Sequence, residues 1–239
     1  MLTPRQNGIT QTLLIDADDT LWENNVYFER SIADFISFLN HHEFTPEQVR
    51  ERLNQVERES IKTHGYGLNS FANALCNTFE CLSIEPLTPE LRKRIHDFAF
   101  RIAAHPVEII SGVPETLQHL TLRGHRLIVM TKGAPAEQIS KVERSGLKEY
   151  FAAVEIVAEK NAPAYHAVAE KYGLDADVTW MVGNSPRSDV NPALEAGLHA
   201  VFVPHNQTWI LEHEEIASPS KPGQKLLKVK RFTELQQHF

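Results

Sequence analysis

Apolar positions along the chain follow two regimes. Between Glu23 and Ala104 they recur at three- and four-residue spacing among charged residues. Phe28, Ile32, Phe35, Ile36 and Leu39 form one stripe, and Val49, Leu53 and Val56 another. Such spacing gathers apolar side chains on one face of a helix. Thr45-Pro46-Glu47 opens the second of these helices, with Thr45 as N-cap and Pro46 at the first position. Residues 69–82 and 89–104 read as two more helices, and no strand is expected in this stretch. Elsewhere short apolar runs alternate with helical patterns. Strands are predicted over residues 11–17, 125–131, 151–158, 178–183 and 199–203, with 226–229 as an edge strand. Helices are predicted over 113–122, 135–145, 162–172, around 192–196, and as a short final turn over 232–237. Residues 218–223 read as a loop.

Strands separated by helix-sized segments imply a parallel sheet with helices on both faces. The expected fold is therefore α/β, a doubly wound parallel sheet with an inserted all-α domain. The sheet domain takes residues 1–22 and 105–239, and the helical domain 23–104. A chain of 239 residues can bury such a core without staples. Hydrophobic residues at 42% and charged residues at 23% suit a globular protein. A formal net charge of −7 argues against a broad nucleic-acid surface, which needs clustered positive charge. Cys76 and Cys81 lack the spacing of a zinc site and read as small hydrophobes in a reducing compartment. The first ten residues show no signal-peptide pattern, and no apolar run is long enough to span a bilayer. The expectation is a cytoplasmic protein without membrane association.

Ligands of open parallel sheets bind at the carboxyl ends of the strands. The first predicted strand delivers Asp16-Ala17-Asp18-Asp19-Thr20 there, and the second Thr131-Lys132-Gly133. The third is followed by Glu159-Lys160, and the fourth by Gly183-Asn184-Ser185-Pro186-Arg187-Ser188-Asp189. Acidic groups, a hydroxyl, a lysine and a glycine turn would share one crevice. That set suits an anion together with a metal ion.

In this order, the four segments resemble the motifs of the haloacid dehalogenase superfamily, whose core is Rossmann-like. The likeness extends over nearly the whole chain, with a helical cap inserted between the first two motifs. It implies Asp16 as a nucleophile that forms an aspartyl-phosphate, and an ionised carboxylate needs no activating base for that. It implies Asp18 as general acid and base. Thr131 matches the hydroxyl that binds phosphoryl oxygens, and Lys160 the cation between nucleophile and phosphate. Mg²⁺ is the implied cofactor, held by Asp16, the Asp18 carbonyl, Asn184 and Asp189. Lys132 and Gly133 are further candidates for phosphate contact. An Asp at position 18 looks like phosphoryl transfer, since the superfamily's dehalogenases typically have tyrosine there and use no metal. A departing alkoxide needs a proton donor, whereas a halide does not.

Two residues depart from the common pattern. Asn184 stands where many relatives have Asp, and its neutral carbonyl oxygen predicts weaker metal binding. Lys132 stands where asparagine is frequent. Trp22, Asn24 and Asn25 lie where the sheet domain passes into the cap, either near a leaving group or as packing and helix-capping residues. His205, with Asn206 and Trp209, falls at the crevice rim. His41-His42 has no third ligand in view.

The resulting expectation is a Mg²⁺-dependent phosphatase acting on a small phosphorylated metabolite, with the cap closing over it. The alternatives are a phosphomutase, a metal-independent 2-haloacid dehalogenase, and a protein that binds a phosphorylated ligand without turnover. The substrate and the oligomeric state are not legible in the sequence.

Overall fold

A computed structural model describes residues 10–39 and 43–239, so the His41-His42 pair lies outside the described residues. The described chain divides into two compact units. One runs to Glu23 and resumes at Val107–Phe239, and the other is Asn24–Pro106.

The first unit holds six strands: β1 (Thr12–Ile15), β2 (Arg126–Lys132), β3 (Ala153–Val157), β4 (Thr179–Gly183), β5 (His199–Phe202) and β6 (Leu226–Lys228). All pair in parallel, in the order β3-β2-β1-β4-β5-β6. The central strands carry near-continuous apolar runs, Leu13 to Ile15, Leu127 to Met130 and Trp180 to Val182, because both faces are covered. Side chains alternate between the faces. Leu13 and Ile15 of β1, Leu127 and Val129 of β2, and Trp180 and Val182 of β4 enter one core. Leu14, Ile128, Met130 and Met181 enter the other.

In the second unit, α1 (Asn25–Leu39), α2 (Pro46–His64), α3 (Leu68–Leu82) and α4 (Pro89–Phe100) pack around a core of their own. The predicted stripes supply it: Ile32, Phe35, Val49, Leu53 and Val56 are all buried there. Thr45 caps α2 reciprocally with Gln48, a full capping box, and Pro46 takes the first turn. The α-helix predicted to reach residue 104 ends at Phe100 and tightens to a 3-10 turn over Arg101–Ala104. Frayed last turns of this kind are common because terminal carbonyls lack intrahelical partners.

The remaining helices belong to the sheet unit: α5 (Val113–Leu122), α6 (Pro135–Ser145), α7 (Ala162–Tyr172) and α8 (Asn191–Ala196). Val113, Leu117 and Leu120 of α5 cover one sheet face. Tyr165 and Val168 of α7, with Ala193 and Ala196 of α8, cover the other. Ahead of α8 stands a π-helical turn over Pro186–Val190, which the sequence pattern does not predict. Cys76 is buried, Cys81 is exposed, and both are free thiols. Among the described residues, no helix is long and apolar enough to cross a membrane.

Candidate active site

Chain direction reverses its march across the sheet at β1, with β2 on one side and β4 on the other. Crevices open beyond strand ends at such a switch point. Register fixes what stands there. Ile15 pairs with Val129 and with Val182, and the Asp16 amide donates to the Val182 carbonyl at 2.9 Å. Asp16 therefore leaves the sheet between the ends of β2 and β4. Thr131 and Lys132 close β2 opposite Ile156 and Val157 of β3, which hands the chain on to Lys160.

Lys160 unites two of these loops. Its Nζ donates to Asp16 Oδ1 at 2.5 Å and to Asp189 Oδ1 at 2.7 Å. All three side chains are almost fully buried. Burial and the Asp189 charge push the Asp16 carboxyl up to about 7, against the pull of Lys160. Burial alone would lower the Lys160 pKa, but its two carboxylate partners more than offset this and raise it. Asp189 reaches the site from the π-helical turn, where its other oxygen accepts the Ser185 amide at 2.9 Å. Gly183 makes this approach possible, because a Cβ there would overlap the Asp189 carboxylate.

Asn184 is drawn in through Thr20. The Thr20 hydroxyl lies 3.0 Å from Asp16 Oδ2 and 3.3 Å from Asn184 Oδ1, so these oxygens flank one donor. Asn184 Nδ2 donates to Thr208 Oγ1 at 2.9 Å, which fixes the amide with its oxygen toward Asp16. Asp16, Asn184 and Asp189 thus form an oxygen-only donor set with one lysine as counterion. Hard cations such as Mg²⁺ take such ligands, and a second positive charge would relieve the repulsion between the buried carboxylates. The residues present fit that ion.

Asp18 points into a separate set of partners. Lys141 Nζ lies 2.8 Å from both of its oxygens, Trp22 Nε1 donates to Oδ1 at 2.7 Å, and Gln138 Nε2 donates to Oδ2 at 3.0 Å. Burial would raise this carboxyl, but the Lys141 charge and the three donors outweigh it and hold it below the usual range. Trp22, left open between leaving-group and packing roles by the sequence, is buried and spends its indole N–H on Asp18. Gly133, at φ +146°, admits Gln138, since a Cβ there would stand 2.8 Å from its Nε2.

Lys132 enters a third network. Its ammonium donates to Glu212 Oε1 and Ser188 Oγ, each at 2.7 Å, and lies 3.4 Å from Glu159. Glu212 also accepts from the Ser185 and Ser188 hydroxyls. Burial would raise its carboxyl, but Lys132 and those hydroxyls hold it low. Thr131 is buried at the end of β2. Arg187 is exposed and donates to the Leu211 carbonyl at 3.1 Å. His205 stands 3.8 Å from Asp19 and 3.2 Å from Glu23. Among the described residues, Asp19, Glu23 and His205 are the side chains whose ligand atoms converge within 4.8 Å, a group distinct from the expected metal ligands.

Sequence reading placed Thr20, Ser185 and Ser188 at the strand ends without giving them a role, and it missed Gln138, Lys141 and Glu212. Gln138 and Lys141 lie one turn apart on the helix after Thr131, a spacing that any surface helix can show. Glu212 lies too far along the chain for spacing to announce it.

The family model for haloacid dehalogenase-like hydrolases matches residues 10–197. A haloacid dehalogenase-like family hydrolase from Xanthomonas campestris is 28% identical, covering 98% of this chain and 93% of that one, with a TM-score of 0.80. L-2-haloacid dehalogenase from Xanthobacter autotrophicus, with chloropropionic acid covalently bound, shares the fold at 16% identity and a TM-score of 0.65, covering 96% and 98%. A predicted phosphoglycolate phosphatase from Haemophilus somnus 129PT does so at 17% and 0.65, covering 98% and 99%. No curated protein matches the chain.

Proposed function

The chain belongs to the haloacid dehalogenase-like hydrolases, and from that premise we propose that it is a Mg²⁺-dependent phosphatase of small phosphorylated metabolites. The observation that carries this reading is the second carboxylate. Asp18 sits two residues from Asp16 and is held by three side chains of the sheet unit. Displacing an alkoxide from phosphorus needs a proton donor and opening the aspartyl-phosphate needs a base; the donors around Asp18 keep it ionised for the second task, and it serves the first once one of them gives way to a proton.

Asp16 attacks phosphorus, the bond to the leaving oxygen breaks, and Asp18 delivers a proton to that oxygen. Asp18 then takes a proton from water as it opens the aspartyl-phosphate, which releases phosphate and restores Asp16. Lys160 offsets charge between the Asp16 carboxylate and the phosphoryl group, where a low dielectric magnifies repulsion. Thr131 supplies a hydroxyl to the phosphoryl oxygens. Asp16, the Asp18 carbonyl, Asn184 and Asp189 would hold Mg²⁺, which supplies further neutralisation of phosphoryl charge when bound.

The test is phosphate release from a panel of phosphorylated metabolites, with Mg²⁺ and with chelator. Mg²⁺-dependent release that Asp16→Asn abolishes is expected. Turnover retained by Asp16→Asn would end the mechanism. The likeness in fold to a haloacid dehalogenase supports one competing reading. Halide release from 2-haloacids, without release of phosphate from any ester, would establish it.

A further inference from the structure

We propose that Lys141 is a positioning residue, which holds the Asp18 carboxylate for proton transfer and lets go of one of its oxygens when that transfer occurs. This rests on the phosphatase reading. A carboxylate has about four lone-pair directions. Around Asp18 each has a donor: Trp22 and Lys141 on Oδ1, Gln138 and Lys141 on Oδ2. A fully engaged carboxylate cannot also meet a leaving oxygen or a water, so one contact must yield.

The donors differ in their freedom to do so. Trp22 is 1% exposed and rigid in the core, and its indole has one N–H. Gln138 is 5% exposed, wedged against Gly133, and its amide nitrogen also lies 3.3 Å from the Lys132 carbonyl. Lys141 is different. Its side chain is 23% exposed, its ammonium sits on a flexible stem, and it spans both oxygens at equal distance. It can release one oxygen and keep the other. Trp22 and Gln138 then hold the carboxylate plane while the freed direction meets the reacting group.

The placement has a sequence logic. Gln138 and Lys141 are three apart on α6, so they share a face. The helix begins directly after the Thr131 loop, and Gly133 at φ +146° lets it close on the site. One helix thus carries two donors to the carboxylate that the first loop supplies. A misplacement of about 1 Å costs on the order of a hundredfold in such a transfer.

The experiment compares kcat/KM for two esters in wild type, Lys141→Met and Lys141→Arg, with saturating Mg²⁺. An alkyl phosphate needs a proton on its leaving oxygen, and p-nitrophenyl phosphate does not. Lys141→Met is expected to lose about a hundredfold on the alkyl ester and under about tenfold on the aryl ester. Lys141→Arg should recover most of the alkyl rate, because it restores a charged donor. Equal losses on both esters would mean a merely structural role and overturn the proposal, as would no loss on either. Lys141→Gln, with circular dichroism as control, replaces the methionine variant should that one fail to fold. Failure of the parent reading is distinguishable: wild type would then release phosphate from neither ester, and both would fall.

Discussion

Lys160 shows how far one charge governs this site. It is bonded to two carboxylates that arrive from different loops, and all three groups are nearly out of water. Removing the lysine from this triad leaves two like charges facing each other in a low dielectric. The chain has an escape, because the Asp16 carboxyl already stands at about 7 and can take up a proton. A protonated Asp16 is no nucleophile. Lys160→Met is therefore expected to fold, yet to lose turnover by about a thousandfold. Near-ultraviolet circular dichroism and phosphate release read the two halves separately. Turnover within tenfold of wild type would deny Lys160 its place. Lys132 instead anchors Glu212 and Ser188 and so ties a later segment to the β4 loop.

At the scale of elements, the loop after β4 is the least standard part and the most consequential. A π-helical turn carries an extra residue per turn, and such turns gather at functional sites. Here it swings Asp189 back over Gly183. Gly183→Ala would force the two apart, because a Cβ has no room beside that carboxylate. A loss of about 1–3 kcal/mol in stability is expected, together with most of the activity. Thermal unfolding and turnover with Mg²⁺ measure it, and a variant matching wild type in both would show that Asp189 is not held in this way. The sequence left this turn unread for a physical reason. Buried parallel strands announce themselves as apolar runs, and helices by glycine stops, proline starts and periodic stripes. Strand ends accordingly located Asp16, Thr131, Lys160 and Asn184 from pattern alone. A π-turn has no comparable period. The clamp on Asp18 was hidden for another reason: Gln138 and Lys141 are ordinary surface-helix residues until the phase of α6 and the space left by Gly133 bring them inward. Glu212 and Thr208 depend on where a long excursion after β5 folds back, which no local rule fixes.

At the scale of the molecule, the two units have cores that share no residue, so a titrating group in one of them should act on that unit. Glu57 provides the case. It lies on α2 inside the helical unit, 6% exposed, and its Oε2 has no hydrogen-bond partner. Burial pushes its carboxyl up to about 7; the Arg50 charge opposes this and Glu29 adds to it. In the unfolded chain it titrates near 4.5. Below that pH both states are protonated, and Glu57 contributes nothing to the balance. Between 4.5 and about 7 the folded state holds a proton that the unfolded state has lost, so stability falls as pH rises. Above about 7 the folded unit carries the full cost of an ionised, buried carboxylate, about 3 kcal/mol. Glu57→Gln removes the charge and nearly keeps the shape. Amide exchange along α2 should then show the variant and wild type alike near pH 4.5, with the variant better protected by about a hundredfold at pH 8. Taking the difference between the two proteins cancels Asp16 and every other group that titrates in this range. A difference that stays constant from pH 5 to 8 would mean that Glu57 keeps an ordinary pKa in the folded unit, with its charge compensated by Arg50.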